Sequence, residues 1–169
     1  MSSIVPETGM LYRPWKKIDK TIVPNIVESI KEACKGDNKA VFIGTDSQMH
    51  DHKQEFVTAI VVYTEGKGAC TFHTKIFTGE PRSLREKLIN EALLSLHTAW
   101  EIEKILPKNV DLSVHLDVNP EPPWLSSKYH DEIYWMIKGQ GFTAVTKPNA
   151  FAASYVAEHI CKHRNESDG

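Results

Sequence analysis

The sequence predicts an α/β fold: one domain built on a five-stranded mixed sheet flanked by helices, with an extra N-terminal helix. Three observations carry this. Residues 39–79 hold three strand-like runs in succession. Residues 83–106 form one long amphipathic helix. From residue 110 onward, strand and helix patterns alternate. An early antiparallel run followed by alternating elements fits a mixed sheet with helices on its faces, and 169 residues suit a single core.

The elements follow in order. Residues 1–20 read as an arm punctuated by Pro6, Gly9 and Pro14, with a basic end of Arg13, Lys16, Lys17 and Lys20. Ile22, Ile26, Ile30 and Ala33 then recur at helical spacing, with Pro24 in the first turn and Gly36 as the stop. Residues 1–38 are thus expected to pack as an arm and helix on a domain spanning 39–164, with a tail at 165–169. KAVFIG, EFVTAIVVYTEG and ACTFHTKIFTG are the three strands, the last two joined by a turn at residues 65–68. Ser83 and Glu86 make the S-x-x-E capping pattern of the long helix. Its apolar face runs through Leu84, Leu88, Ala92, Ser95, Ala99, Ile102 and Leu106, and Pro107 stops it. VDLSVHLDVNP is a fourth strand, SSKYHDEIYWMIKGQG a second helix, FTAVTKP a fifth strand and NAFAASYVAEHICKHR a last helix.

Composition narrows the function classes. A formal net charge of -2 argues against a simple electrostatic nucleic-acid binder, although local basic groups exist at 13–20, at Arg82, Arg85 and Lys87, and at 162–164. The cysteines, Cys34, Cys70 and Cys161, are odd in number and far apart, which speaks against a disulfide framework or a cysteine zinc site and fits the cytoplasm. No stretch approaches the roughly 18 apolar residues of a membrane helix.

Two strands are expected to end in an aspartate, the first at Asp46 and the fourth at Asp117. If they run parallel as neighbours, both carboxylates leave the same edge of the sheet, where ligands of such sheets bind. Carboxylates held that close repel unless a proton or cation lies between them, and oxygen-rich sites suit Mg2+ or Mn2+. A third acid is offered by the long helix: Glu91, at the edge of the apolar face, ahead of Glu86, which the capping pattern also explains. Ser154 and Glu158 lie one turn apart on the last helix. Ser47 and Gln48 follow Asp46 as a hydroxyl and an amide able to meet a substrate. His115 shares a face with Asp117 and reads equally as a proton shuttle, a substrate contact or a packed histidine. Lys147 could hold a phosphate. His50 and His52 read as a solvated loop ahead of a metal site, with His50 near enough to meet substrate. Asp46 and Asp117 also have plain turn-capping readings.

The phrases GTDSQMH, SLREKLINEAL, VHLDV and KPNAFAASYVAEH, with the order βββ-α-β-α-β-α, resemble the ribonuclease H superfamily, and within it the YkuK-type ribonuclease H-like family of bacteria and phages. The resemblance covers roughly residues 39–163. It implies two-metal nuclease chemistry on RNA, DNA or a hybrid, with Asp46, Asp117 and Glu91 (or Glu86) as ligands of Mg2+ or Mn2+ and nucleic acid as partner. The superfamily pattern often places a fourth acid or a histidine on the last helix. Here Ser154 stands at that position with Glu158 one turn on. The alternative is therefore a catalytically incomplete module that binds nucleic acid or protein. Gln48 departs from the D-x-E of the proofreading exonucleases. An actin-like ATPase, suggested by I-G-T-D, needs two lobes for which the chain is too short.

Overall fold

The computed structural model describes residues 3–152. The expected last helix from residue 153 onward, with Ser154 and Glu158, and the tail lie outside the described residues. In chain order the elements are β1 Trp15–Lys17, β2 Ile22–Val23, α1 Ile26–Ala33, β3 Lys39–His50, β4 Lys53–Thr64, β5 Gly68–Gly79, α2 Leu84–Glu103, β6 Asp111–His115, a 3-10 turn Leu125–Tyr129, α3 His130–Lys138 and β7 Thr143–Val145. Among the described residues the sheet has seven strands in the order β2-β1-β5-β4-β3-β6-β7.

The five expected strands are all present, and two short ones extend the sheet at the β5 edge. Residues 15–17 belong to a strand because Trp15 is a core residue, 1% exposed, whose indole Nε1 donates to the Met10 carbonyl at 3.0 Å. That anchoring aligns Lys16 with His73 and Lys17 with Phe72 on β5. The predicted first helix begins later than its spacing suggests. Asn25 is the N-cap, its side chain accepting from Glu28 N at 3.1 Å. Pro24 precedes the cap, and Ile22 pairs with Lys16 in the sheet.

β3 and β4 form one hairpin in unbroken register from Lys39↔Thr64 to His50↔Lys53. Asp51 and His52 make its two-residue turn with φ of 45° and 66°, the left-handed pair that suits the twist of flanking strands. The first strand therefore does not end at Asp46. It runs four residues further, and the turn supplies the stop.

Strand alternation splits β3 into two faces. Val41, Ile43, Thr45 and Ser47 are all buried. Val41 and Ile43 share the main core with Leu88, Ala92, Leu96, Ala99 and Ile102 of α2. Each aliphatic side chain fully buried here contributes about 1.5–3 kcal/mol. Ser83 caps α2 as predicted, accepting from Glu86 N at 3.1 Å. Phe42, on the other face, packs with Val57, Ala59, Val61 and Ala152. β6 lies parallel to β3 from Ala40↔Asp111 to Gly44↔His115, and β7 lies parallel to β6. The chain order reverses between β3 and β6, which makes this junction the switch point of the sheet.

Candidate metal centre

β3 and β6 separate beyond the Gly44↔His115 rung. The chain leaving β6 stays with the β7 segment: Leu116 N donates to Val145 O at 2.8 Å, and Lys147 N to Val118 O at 3.1 Å. β3 meanwhile continues beside β4. A cleft opens between two parallel backbones, with Asp46 on one wall and Asp117 on the other. Asp117 thus lies two residues past the end of β6, in extended backbone rather than on the strand itself.

Glu91 of α2 completes the cluster. One ligand oxygen from each of Asp46, Glu91 and Asp117 lies within 4.8 Å of the others. The helix is tied to β3 at this level by hydroxyls. Thr45 Oγ1 shares hydrogen bonds with Thr58 Oγ1 at 2.9 Å and with Ser95 Oγ at 2.8 Å. Ser95 is one turn after Glu91 on the same helical face. The chain Thr58–Thr45–Ser95 therefore fixes the height of Glu91 against Asp46.

The electrostatics are those of an acid-rich site drawn out of water. Glu91 is 5% exposed, and neither carboxylate oxygen has a hydrogen-bond partner among the described residues. Burial pushes its pKa well above the ordinary range, and Asp46 and Asp117 add to the shift while Lys87 opposes it. Asp46 is raised as well, first by burial and then by Asp117, although the Ser47 N–H donated to its Oδ1 at 2.9 Å works the other way. Lys147 makes an ion pair with Asp117, and that contact raises its own pKa. A void of about 10 Å³ lies against Glu91, Asp117 and His115, at the lower limit of what one water molecule needs. Three convergent carboxylates, one with both oxygens orphaned, fit a hard divalent cation such as Mg2+ or Mn2+.

The remaining candidates divide. Glu86 is turned to the helix start, where its Oε2 accepts from Arg82 N at 3.0 Å. It is therefore occupied in capping while Glu91 joins the acids. His115 is 4% exposed and its Nδ1 accepts from the amides of Phe151 and Ala152 at 3.0 and 3.2 Å. Burial lowers its pKa to about 4, so at neutral pH it stays uncharged and holds the start of the segment after Ala150. Ser47 is buried. His50 meets Glu55 at 2.7 Å, and Glu55 also pairs with Lys75 at 3.0 Å. Lys87, named in the sequence only as part of a basic group, is close enough to favour the charged forms of both Asp46 and Glu91. Its signal was its place one turn before Glu91.

Comparison with known proteins gives a consistent picture. The profile of the family described as Ribonuclease H-like matches residues 22–162. The chain belongs to the ribonuclease H-like family. This ribonuclease H-like chain is also similar to a protein of Bacillus subtilis (strain 168) named "Uncharacterized protein YkuK". The two are 29% identical over 156 residues, covering 82% of this chain and 90% of that protein. No solved structure matches it. Among the described residues no helix is long and apolar enough to cross a membrane.

Proposed function

We propose that this protein is a divalent-metal-dependent nuclease that cleaves phosphodiester bonds in RNA, DNA or a hybrid at the cleft between β3 and β6. The observation that carries this reading is the trio Asp46, Glu91 and Asp117, with both Glu91 oxygens buried and unpartnered. Asp46 and Asp117 would hold the metal from the two strand walls and Glu91 from the helix beneath. Mg2+ or Mn2+ bound there supplies Lewis-acid activation of water and stabilisation of the leaving oxygen. The chain's own part is positional. The Thr58–Thr45–Ser95 hydroxyls keep the helix carboxylate in register, and Lys147 offers a cation beside Asp117 for a phosphate oxygen.

The same Lys147 supports a second reading. A cation built into the acid cluster already compensates part of its charge, as in a non-catalytic module that binds nucleic acid or protein on this fold. Cleavage of labelled single strands, duplexes, hybrid and a four-way junction separates the two. Under the nuclease reading, Mg2+ or Mn2+ supports cutting that Asp46→Asn and Asp117→Asn each reduce to background while the variants remain folded. Undiminished cutting by the variants would remove the acids from the mechanism. Binding without cutting by the wild type would favour the module.

A further inference from the structure

The basic arm at residues 13–20 is not used by the acid cluster, yet it builds a site of its own. Arg13, Lys16 and Lys20 close over His73 and Lys75 of β5, around a cavity of about 360 Å³. Arg13 is held there by donating to the Lys75 carbonyl. That leaves its Nε buried without a partner. His73 is 3% exposed, and its Nδ1 is also buried without a partner. The Arg13 Nε–H is a donor left without a partner beside lysine ammonium groups, a setting matched by a ligand rich in acceptor oxygens and negative charge. His73, kept neutral by burial with a pKa of about 4, forms part of the wall and carries no charge of its own. Glu55 takes part of the charge of Lys75, so the excess positive charge comes from the arm.

The sheet places this cavity relative to the acids. Lys75, Val57 and Asp46 are cross-strand partners in one row, and Lys16, His73, Ala59 and Gly44 form a row two residues along, on the same face. Direct partners share a face, so the cavity and Asp46 belong to the same side of the sheet. Two strand spacings, about 10 Å, separate the Lys75 and Asp46 backbones, and three, about 14 Å, separate those of Lys16 and Gly44. Spans of that size correspond to roughly three or four nucleotides of helical rise. Arg13, Lys16 and Lys20 all precede the part of the chain that matches the family, 22–162, so the cavity is an addition by the arm.

We propose that the Arg13–Lys16–Lys20–His73–Lys75 cavity binds a backbone phosphate of the nucleic-acid strand whose neighbouring segment reaches the acid cluster. The substrate class rests on the nuclease reading above, but the test does not require cutting.

Binding of a labelled single-stranded oligonucleotide is measured in chelator across a salt series. Wild type is compared with the exposed double variant Lys16→Gln/Lys20→Gln and with a control, Lys67→Gln/Lys108→Gln. The pocket variant is expected to bind at least about tenfold more weakly at low salt, with a log–log salt slope shallower by about 0.7, one single-strand phosphate contact. The control keeps the wild-type slope. In wild type, oligonucleotide also shifts the His73 ring resonances. Equal affinity and slope for pocket variant and control overturns the proposal. A His73 shift with inorganic phosphate but not with oligonucleotide also overturns it, marking a free-anion site. Pocket-dependent binding without cleavage by the wild type refutes the nuclease reading alone. Metal-dependent cleavage with pocket-independent binding refutes the pocket alone.

Discussion

Glu91→Gln isolates the property that most sets this site apart, a carboxylate buried without a partner. The substitution keeps shape and removes the charge. In metal-free wild type, folded Glu91 holds its proton above the ordinary carboxylate range, whereas the unfolded chain releases it near the ordinary glutamate value of 4.5. Between those points the folded state binds the extra proton, so stability falls as pH rises. Relief of a buried, unsatisfied charged group is of order 1–3 kcal/mol. The variant is therefore expected to be more stable by about 2 kcal/mol at pH 8 in chelator, a Tm higher by about 4–8 °C for a chain of this size. At pH 4 the difference should vanish, because Glu91 is protonated in both states. Saturating Mn2+, at about 100 times its Kd, should stabilise wild type by about 2.7 kcal/mol and the variant by less than half of that. Urea melts at the two pH values, with and without Mn2+, give all four comparisons. A variant less stable than wild type at pH 8 in chelator, or equal Mn2+ stabilisation of both, would refute the reasoning.

Three further outcomes follow from named contacts. Thr45→Val removes the shared partner of Thr58 and Ser95 and should cost about 1–3 kcal/mol in urea unfolding, with Mn2+ affinity falling because Glu91 loses its register. His115→Leu leaves the Phe151 and Ala152 amides without their acceptor; a loss of about 1–3 kcal/mol is expected, read by faster exchange of those two amides, and unchanged exchange would count against the assignment. Lys147→Met removes the cation paired with Asp117 and should tighten Mn2+ binding in calorimetry, whereas weaker binding would show that Lys147 organises the site.

Much of this site was legible in the sequence because its parts sit on strongly patterned elements. Asp46 follows an apolar run and Asp117 ends another, and the parallel pairing of β3 with β6 brings them together. Glu91 could be separated from Glu86 because one residue lies at the edge of the apolar face and the other fits a capping pattern. What was not legible depends on tertiary contacts. Trp15-Lys16-Lys17 reads as a basic arm until Trp15 enters the core and β5 offers an edge. The extension of β3 past Asp46 is set by its hairpin partner, since Ser47, Gln48 and His50 carry no apolar signal for a strand. The Thr45–Ser95 bond joins residues 50 positions apart, and no local periodicity encodes it.

The central claim is that the split between β3 and β6 is a divalent-metal centre. Mn2+ binding followed by electron paramagnetic resonance, with wild type beside folded Asp46→Asn and Asp117→Asn, tests it most directly. Saturable binding by wild type that is lost or greatly weakened in both variants is the result predicted here. Identical Mn2+ binding by all three proteins, or none by the wild type, would contradict it.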